Sequence, residues 1–352
     1  MGYDPDLDIV LDQKADIDHT HMPDHTHPGT DAALADHETR LAALENVVPV
    51  EPPPVEPPAE LGIPCGWFYD WPTYYSQWLS EFPHWSGGTV VAPPTIARLN
   101  DFRAHGLSVV LNFSGFHGQL LTDGLFDIDK WKALVDISYG LGLESYIEDG
   151  TIQAHYMIDE PTWPGSWGET ITSDVLDSLG AYSKNYWPTL PCVIRDTPVS
   201  LVNHAAGRNT PWPGGYDWQY ADGCWLQYKA MFGPVATWRE AQMSAANTLG
   251  MSVVPGLNWR DGGDGSSGIT HPGTSELWWV CTPTEVTTYS QALMSNEIGD
   301  PAGFFMWSFP NDPIEPAEII NYKNSAPMQA AFDTLRDFCA AKEWRSLLKR
   351  PG

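Results

Sequence analysis

Residues 156–161 read Tyr-Met-Ile-Asp-Glu-Pro, so two carboxylates, Asp159 and Glu160, stand side by side at the end of an apolar run. A carboxyl kept protonated near neutral pH beside one that stays ionised is an acid–base pair, and partial burial with mutual repulsion separates two such groups in this way. The same two acids also suit a helix N-cap and a salt bridge at a strand end. Successive strand residues point to opposite faces, so both carboxylates reach one pocket only if the strand has already ended. A second chemistry sits far upstream, in His-Thr-His-Met-Pro-Asp-His-Thr-His at residues 19–27. On an extended chain His19 and His21 share a face, as do His25 and His27. Three copies around a three-fold axis would bring six imidazole nitrogens together, an octahedral set suited to Fe(II), Ni(II) or Zn(II). A solvated acidic tail is the alternative. The other histidines, including His117 and His155, show no His-Glu-x-x-His spacing and read as packing or surface residues.

Elements that could hold the carboxylates begin at Gly62, where short apolar runs alternate with helical stretches. The runs are CGWFYDW, GTVVAP, LSVVLNFSG, QAHYMIDEP, PCVIRDTP, GCWLQY, SVVPGLNW and GFFMWSFP; among the helical stretches are TIARLNDFRAHG, DKWKALVDISYGLG, TSDVLDSLGAYSKNY, ATWREAQMSAANTLG and MQAAFDTLRDFCAAKEW. Eight strands with helices between them predict an α/β fold of the (β/α)8 TIM-barrel type. A doubly wound open sheet is disfavoured, because no glycine-rich phosphate loop follows the first strand. In such a barrel the working residues sit at the carboxyl ends of strands. Read in order, these are Tyr69 and Asp70, Asn112 and Ser114, Asp159 and Glu160, Arg195 and Asp196, Gln227 and Tyr228, Asn258, Arg260 and Asp261, and Trp307 and Ser308. Carboxylates, amides and flat aromatic faces together suit a carbohydrate. The chain also holds 17 tryptophans, several in loop-like text such as TWPGSWGE, where sugar stacking competes with simple packing of long loops. WRDGGDGSSGITHPG reads as a mobile rim loop and lacks the spacing of a calcium-binding EF-hand loop.

The stretch YMIDEP resembles the end of the fourth strand in glycoside-hydrolase TIM barrels. There a carboxylate followed by Pro supplies the general acid, and Glu160 takes the matching position. The likeness extends over residues 62–345 as an architecture, with one short specific motif. Barrels of the largest such clan carry a second Glu at the end of strand seven, whereas PGLNWRDGGDG offers only Asp261 and Asp264. Asp261 is the first choice for the second carboxylate, with Asp196 and Asp70 as alternatives. Hydrolysis of an O-glycosyl bond and glycan binding without cleavage are both open on this reading. No cofactor is expected for the barrel.

Charge sets the first sixty residues apart: they carry fourteen Asp/Glu against two Lys/Arg, a net −12 within a chain whose formal charge is −27. That balance disfavours nucleic acid and anionic membrane as partners. No run of about twenty apolar residues spans a bilayer and no signal peptide opens the chain. Five widely spaced cysteines suit synthesis in a reducing cytoplasm. Leu34, His37, Leu41, Leu44 and Val48 fall on the a/d seam of a short coiled coil. Within it Arg40–Glu45, RLAALE, resembles the Arg-h-x-x-h-Glu motif of three-stranded coiled coils. PVEPPPVEPPAE then predicts a stiff polyproline spacer of about 3.1 Å per residue. The paired HTH motifs followed by a trimer-type coiled coil resemble bacteriophage tail fibres and spikes, whose His-x-His motifs thread metal ions along the trimer axis. The resemblance implies a homotrimer in the virion that joins other phage tail proteins and recognises a host surface glycan. It also implies a transition-metal ion at His19, His21, His25 and His27. The expected organisation is an extended acidic attachment segment over 1–30, a trimeric coiled coil over 31–48, a Pro-rich linker over 49–61 and the barrel over 62–352. A free glycoside hydrolase with a trimerising segment, and a structural tail protein with an inactive barrel, are the alternatives.

Overall fold

The computed structural model describes residues 62–67, 85–114, 117–206, 221–270, 279–295, 303–307 and 317–342. The attachment segment, coiled coil and linker lie outside these residues, as do Tyr69, Asp70, Ser308 and the four paired histidines.

Eight parallel strands close into a barrel, as the alternating runs predict. They are β1 (Cys65–Trp67), β2 (Gly87–Val91), β3 (Ser108–Asn112), β4 (Ile152–Asp159), β5 (Cys192–Arg195), β6 (Gly223–Tyr228), β7 (Ser252–Asn258) and β8 (Phe304–Trp307), hydrogen-bonded around the ring in chain order with β8 closing on β1. The returning helices are α1 (Ile96–Ala104), α2 (Ile128–Tyr139), α3 (Glu144–Glu148), α4 (Pro164–Trp167), α5 (Ser173–Tyr186), α6 (Pro198–Ala206), α7 (Val235–Leu249), α8 (Pro283–Leu293), α9 (Ala317–Lys323) and α10 (Ala326–Ala340). A small hairpin, Leu121–Thr122 with Leu125–Phe126, follows β3.

Strands covered on both faces read as continuous apolar runs rather than alternating ones, because the barrel interior and the helix layer both exclude water. Val110, Ala154, Tyr156, Val193, Trp225, Val254 and Phe305 fill the interior. Leu111, Ile158, Ile194, Leu226, Leu257 and Met306 face the helices. Trp225 has room inside because its neighbour Gly256 has no side chain: a Cβ there would lie 2.8 Å from the Trp225 indole nitrogen and 2.3 Å from the Phe305 carbonyl oxygen.

Helix starts follow from capping chemistry. Thr95, Asp127, Thr172 and Thr282 each accept hydrogen bonds from first-turn amides. Helices α6 and α8 add to the helical stretches that the sequence predicts. For α8 a signal exists in Thr-Pro-Thr-Glu: Thr282 and Glu285 form a capping box with Pro283 in the first turn.

Candidate active site

Strand β4 decides the geometry. It has eight residues against five in β3 and four in β5. Between Tyr156 and Ile158 its register with β5 slips, leaving Met157 as an extra residue, so Met157 and Ile158 both face the helices and Asp159 turns inward opposite Arg195. Without that bulge, alternation from the inward Tyr156 would have sent Asp159 outward. The bulge leaves polar backbone atoms that must be satisfied. Trp131 donates its indole N–H to the Met157 carbonyl at 2.7 Å, and Trp167 donates to the Asp159 carbonyl at 2.6 Å. These two buried tryptophans hold the backbone that aims the carboxylates; packing, not sugar stacking, accounts for Trp167 in TWPGSWGE.

The strand ends at Asp159, and Glu160 follows in the left-handed region at φ 42°. A non-glycine residue there costs on the order of 1–2 kcal/mol, and the surroundings must hold it. Its amide donates to the Arg195 carbonyl at 2.7 Å, and its carbonyl accepts from Trp163 at 2.9 Å. Both acids therefore reach the mouth of the barrel, since one belongs to the strand and the other to the turn.

Their surroundings push them in opposite directions. Asp159 is only 8% exposed, and burial works to raise its carboxyl. The Arg195 guanidinium, whose Nη1 donates to Asp159 Oδ1, and His117, whose Nε2 lies 3.4 Å from Oδ2, outweigh burial and hold Asp159 below the usual carboxylate range. Glu160 opens to solvent at the mouth yet is walled by the rim. That desolvation, followed by the charge of Asp159, raises its carboxyl against the opposing pull of Arg195, His117 and Lys229. One acid is thus biased to stay ionised and its neighbour to keep a proton.

Arg195 is itself sandwiched, with its guanidinium carbon 4.6 Å from the Trp225 ring centroid and 4.5 Å from that of Trp307. Asp196, just past β5, is buried; its Oδ2 accepts from the Thr162 hydroxyl at 2.5 Å and its Oδ1 from the Thr197 amide at 2.7 Å. Those bonds tie the turn that carries Glu160 to β5. Burial, opposed by the Thr162 and Thr197 bonds, pushes Asp196 up to about 6. An acid raised on folding is penalised when ionised, so its contribution to stability falls as pH rises from about 4 through about 6, by at most about 3 kcal/mol. Asp196→Asn keeps the shape without that charge. The stability of the variant relative to the unaltered protein is expected to increase across this window in urea denaturation at pH 4 to 8; a constant difference would refute the assignment.

The remaining inward residues are polar ends of neighbouring strands. Asn112 on β3 accepts from the Ser114 amide at 3.1 Å and its hydroxyl at 2.6 Å. Asn258 at the end of β7 accepts from the Asp261 amide at 2.8 Å. Gln227 turns inward on β6, and its side-chain nitrogen is covered and has no hydrogen-bond partner among the described residues. Trp307 lines the interior beside Arg195, and Arg260 sits half-buried in the turn after β7. Tyr228 points the other way, into the helix layer, where its hydroxyl bonds the Gly233 carbonyl and its ring meets Trp238 and Tyr289. The structure thus gathers Asp159, Glu160, Arg195 and Asp196 by direct contact or charge. It places Asp261 on the turn after β7, three strands around the ring from β4. The rim loop is pinned within its described part: Glu285 accepts from the Asp264 amide at 2.7 Å, and Gly263 and Thr270 both bridge to Trp279.

His117 was missed by sequence reasoning, because no fixed spacing connects it to Asp159. It packs against Trp167 with ring centroids 4.4 Å apart and the planes tilted at 44°, while facing the carboxylate. His155 does match its reading as a packing residue: it is wholly buried with Ser183 Oγ at 2.5 Å and Cys192 Sγ at 3.2 Å, and burial lowers its pKa to about 3. All five cysteines are buried and free. Among the described residues no His, Cys, Asp or Glu cluster could hold a metal ion, and no helix is long and apolar enough to cross a membrane.

No protein-family model matches the chain, and no curated protein matches it. Solved structures do resemble it in fold. An exo-beta-1,4-mannosidase from an Opitutaceae bacterium aligns at TM-score 0.50 with 11% identity, over 80% of this chain and 60% of that one. A beta-D-glucuronidase from Dictyoglomus thermophilum aligns at 0.50 with 9% identity, over 82% and 52%. A beta-glucuronidase from an uncultured Clostridium species aligns at 0.50 with 9% identity, over 79% and 50%. The chain thus spans between half and three-fifths of these proteins' lengths. The likeness is one of fold: these three proteins share the barrel architecture with this chain.

Proposed function

We propose that the barrel is the glycan-cleaving head of a trimeric phage tail appendage that acts on a host-envelope polysaccharide. The observation that carries the catalytic part is the placement of the two acids at the end of β4, Asp159 held between Arg195 and His117 and Glu160 on the turn beyond, which biases them in opposite directions. Glu160 gives its proton to the glycosidic oxygen as the bond from the anomeric carbon breaks. Water adds to that carbon, and Asp261 takes the proton it sheds. Asp159 stays charged between Arg195 and His117, where its negative field favours the proton on Glu160 and the positive charge developing on the sugar ring. Asn112, Gln227, Asn258 and Arg260 supply hydrogen bonds for hydroxyl groups, and Trp307 an apolar face. The test is release of sugar reducing ends from envelope glycans by the unaltered protein and by Glu160→Gln.

One observation favours a second reading, a barrel that binds glycan without cutting it. The inward residue at the end of β7 is Asn258, an amide that cannot act as a base.

The tail role rests on the sequence of residues 1–61. Three chains would bury the Leu34, Leu41 and Leu44 seam, bring His19, His21, His25 and His27 around a transition-metal ion, and hold three heads away from the axis on proline spacers. Three heads also supply avidity, so that each may bind weakly. Light scattering is expected to give a trimer for the whole chain and a monomer for residues 62–352, with a transition ion found by metal analysis only in the former. A monomer in both removes the stalk and returns the barrel to the reading of a free hydrolase.

A further inference from the structure

Among the described residues, the large apolar side chains left exposed on this barrel are concentrated at one end. Helices run back against the strands, so every loop leaving a strand and every first helical turn borders the mouth. Among the described residues, Ile96 opens α1, Leu125 lies in the hairpin after β3, Trp163 follows β4, and Met231 and Phe232 follow β6, while Ile137 and Tyr139, late in α2, lie toward the opposite end. Trp163, Met231 and Phe232 are the bulkiest of the mouth group, at 62%, 64% and 46% exposure.

The two rings are braced. A Cβ at Gly165 would lie 2.4 Å from the Trp163 indole nitrogen and 3.0 Å from Cε2, so the glycine makes the seat on which the indole rests. Its backbone is bonded to Glu160 at 2.9 Å, which fixes it to the carboxylate turn. Phe232 stacks on Trp238 at 12° with centroids 5.9 Å apart. A ring supported on one face and wet on the other offers a flat apolar surface at little entropic cost on binding. The strands that carry them, β4 and β6, flank β5 and stand on the order of 10 Å apart, more than one sugar ring covers. The net charge of −27 disfavours a polyanion.

We infer that Trp163 and the Met231–Phe232 turn form a rim subsite for consecutive units of a neutral polysaccharide, so that the barrel engages the interior of chains rather than single terminal sugars. This deepens the glycan reading above and rests on it. The experiment measures retention of the full chain, of Trp163→Ala and of Phe232→Ala on immobilised neutral polymers (mannan, β-glucan, galactan) and on polygalacturonate, with cleavage followed in parallel. At least one neutral polymer is expected to retain the unaltered protein, Trp163→Ala to bind it about ten-fold more weakly, and Gly165→Val, which unseats the indole, to reproduce that loss. Retention by no neutral polymer, retention by polygalacturonate alone, or equal retention of the Trp163 variant overturns it. Cleavage that needs Glu160 but is indifferent to Trp163 would overturn the subsite and leave the catalytic reading intact. Retention through Trp163 without cleavage would do the reverse.

Discussion

Glu160→Gln is expected to slow cleavage of a natural glycan about 100- to 10,000-fold, the range over which a positioned proton donor acts. Glutamine keeps the size and the left-handed turn but has no proton to give. The loss should depend on the leaving group. An aryl glycoside whose phenolate departs without protonation should lose far less, because the acid is not needed there. The pH profile adds an independent readout. Desolvation and the neighbouring Asp159 charge raise the Glu160 carboxyl, so its proton-bearing form persists above the usual glutamate range and is lost as pH climbs through the raised value. The alkaline fall in kcat/KM should therefore belong to Glu160 and vanish in the variant. Equal rates for Gln and Glu on the natural glycan would clear Glu160 of the acid role.

Arg195→Met should destabilise the barrel by about 3–5 kcal/mol at pH 7, because it strands a buried carboxylate. Asp159 and Arg195 are 8% and 6% exposed, so water does not replace the lost partner, and the guanidinium also leaves its seat between Trp225 and Trp307. The sign with pH follows from Asp159. In the unaltered protein its folded pKa is depressed, so the ion pair contributes above the unfolded carboxylate value and is lost as pH falls through the folded one. In the variant only burial and His117 remain, so the cost is largest near neutral pH and shrinks toward pH 4, where Asp159 takes up a proton. Asp159→Asn with Arg195→Met removes charge from both sides and should recover most of the stability. Urea denaturation of the single and double variants at pH 4 and pH 7 checks this; a single variant as stable as the unaltered protein at pH 7 would sink it.

Barrel closure was legible because parallel strands covered on both faces must be apolar along their length, and runs such as GCWLQY and SVVPGLNW sit between helical periods. That Asn112, Arg195, Gln227, Asn258 and Trp307 stand at the mouth end of the barrel was legible for a related reason, since each is the last or next-to-last residue of its strand. Tyr228 was misplaced at the mouth because a strand end alone does not say which face a residue takes. His117 was invisible: a histidine on a short turn after β3 meets Asp159 only when β3 and β4 lie side by side.

By itself, then, the order of residues determined that an α/β barrel forms and that a pair of acids stands at the end of its fourth strand, since both depend on local pattern and on where a strand stops. Which acid is biased toward its protonated form was decided by tertiary structure alone. The extra residue Met157, its carbonyl held by Trp131, rotates Asp159 toward Arg195 and leaves Glu160 on the turn beyond. A bulge, a buried cation and desolvation at the rim act through distances between residues dozens of positions apart, and periodicity does not record those distances.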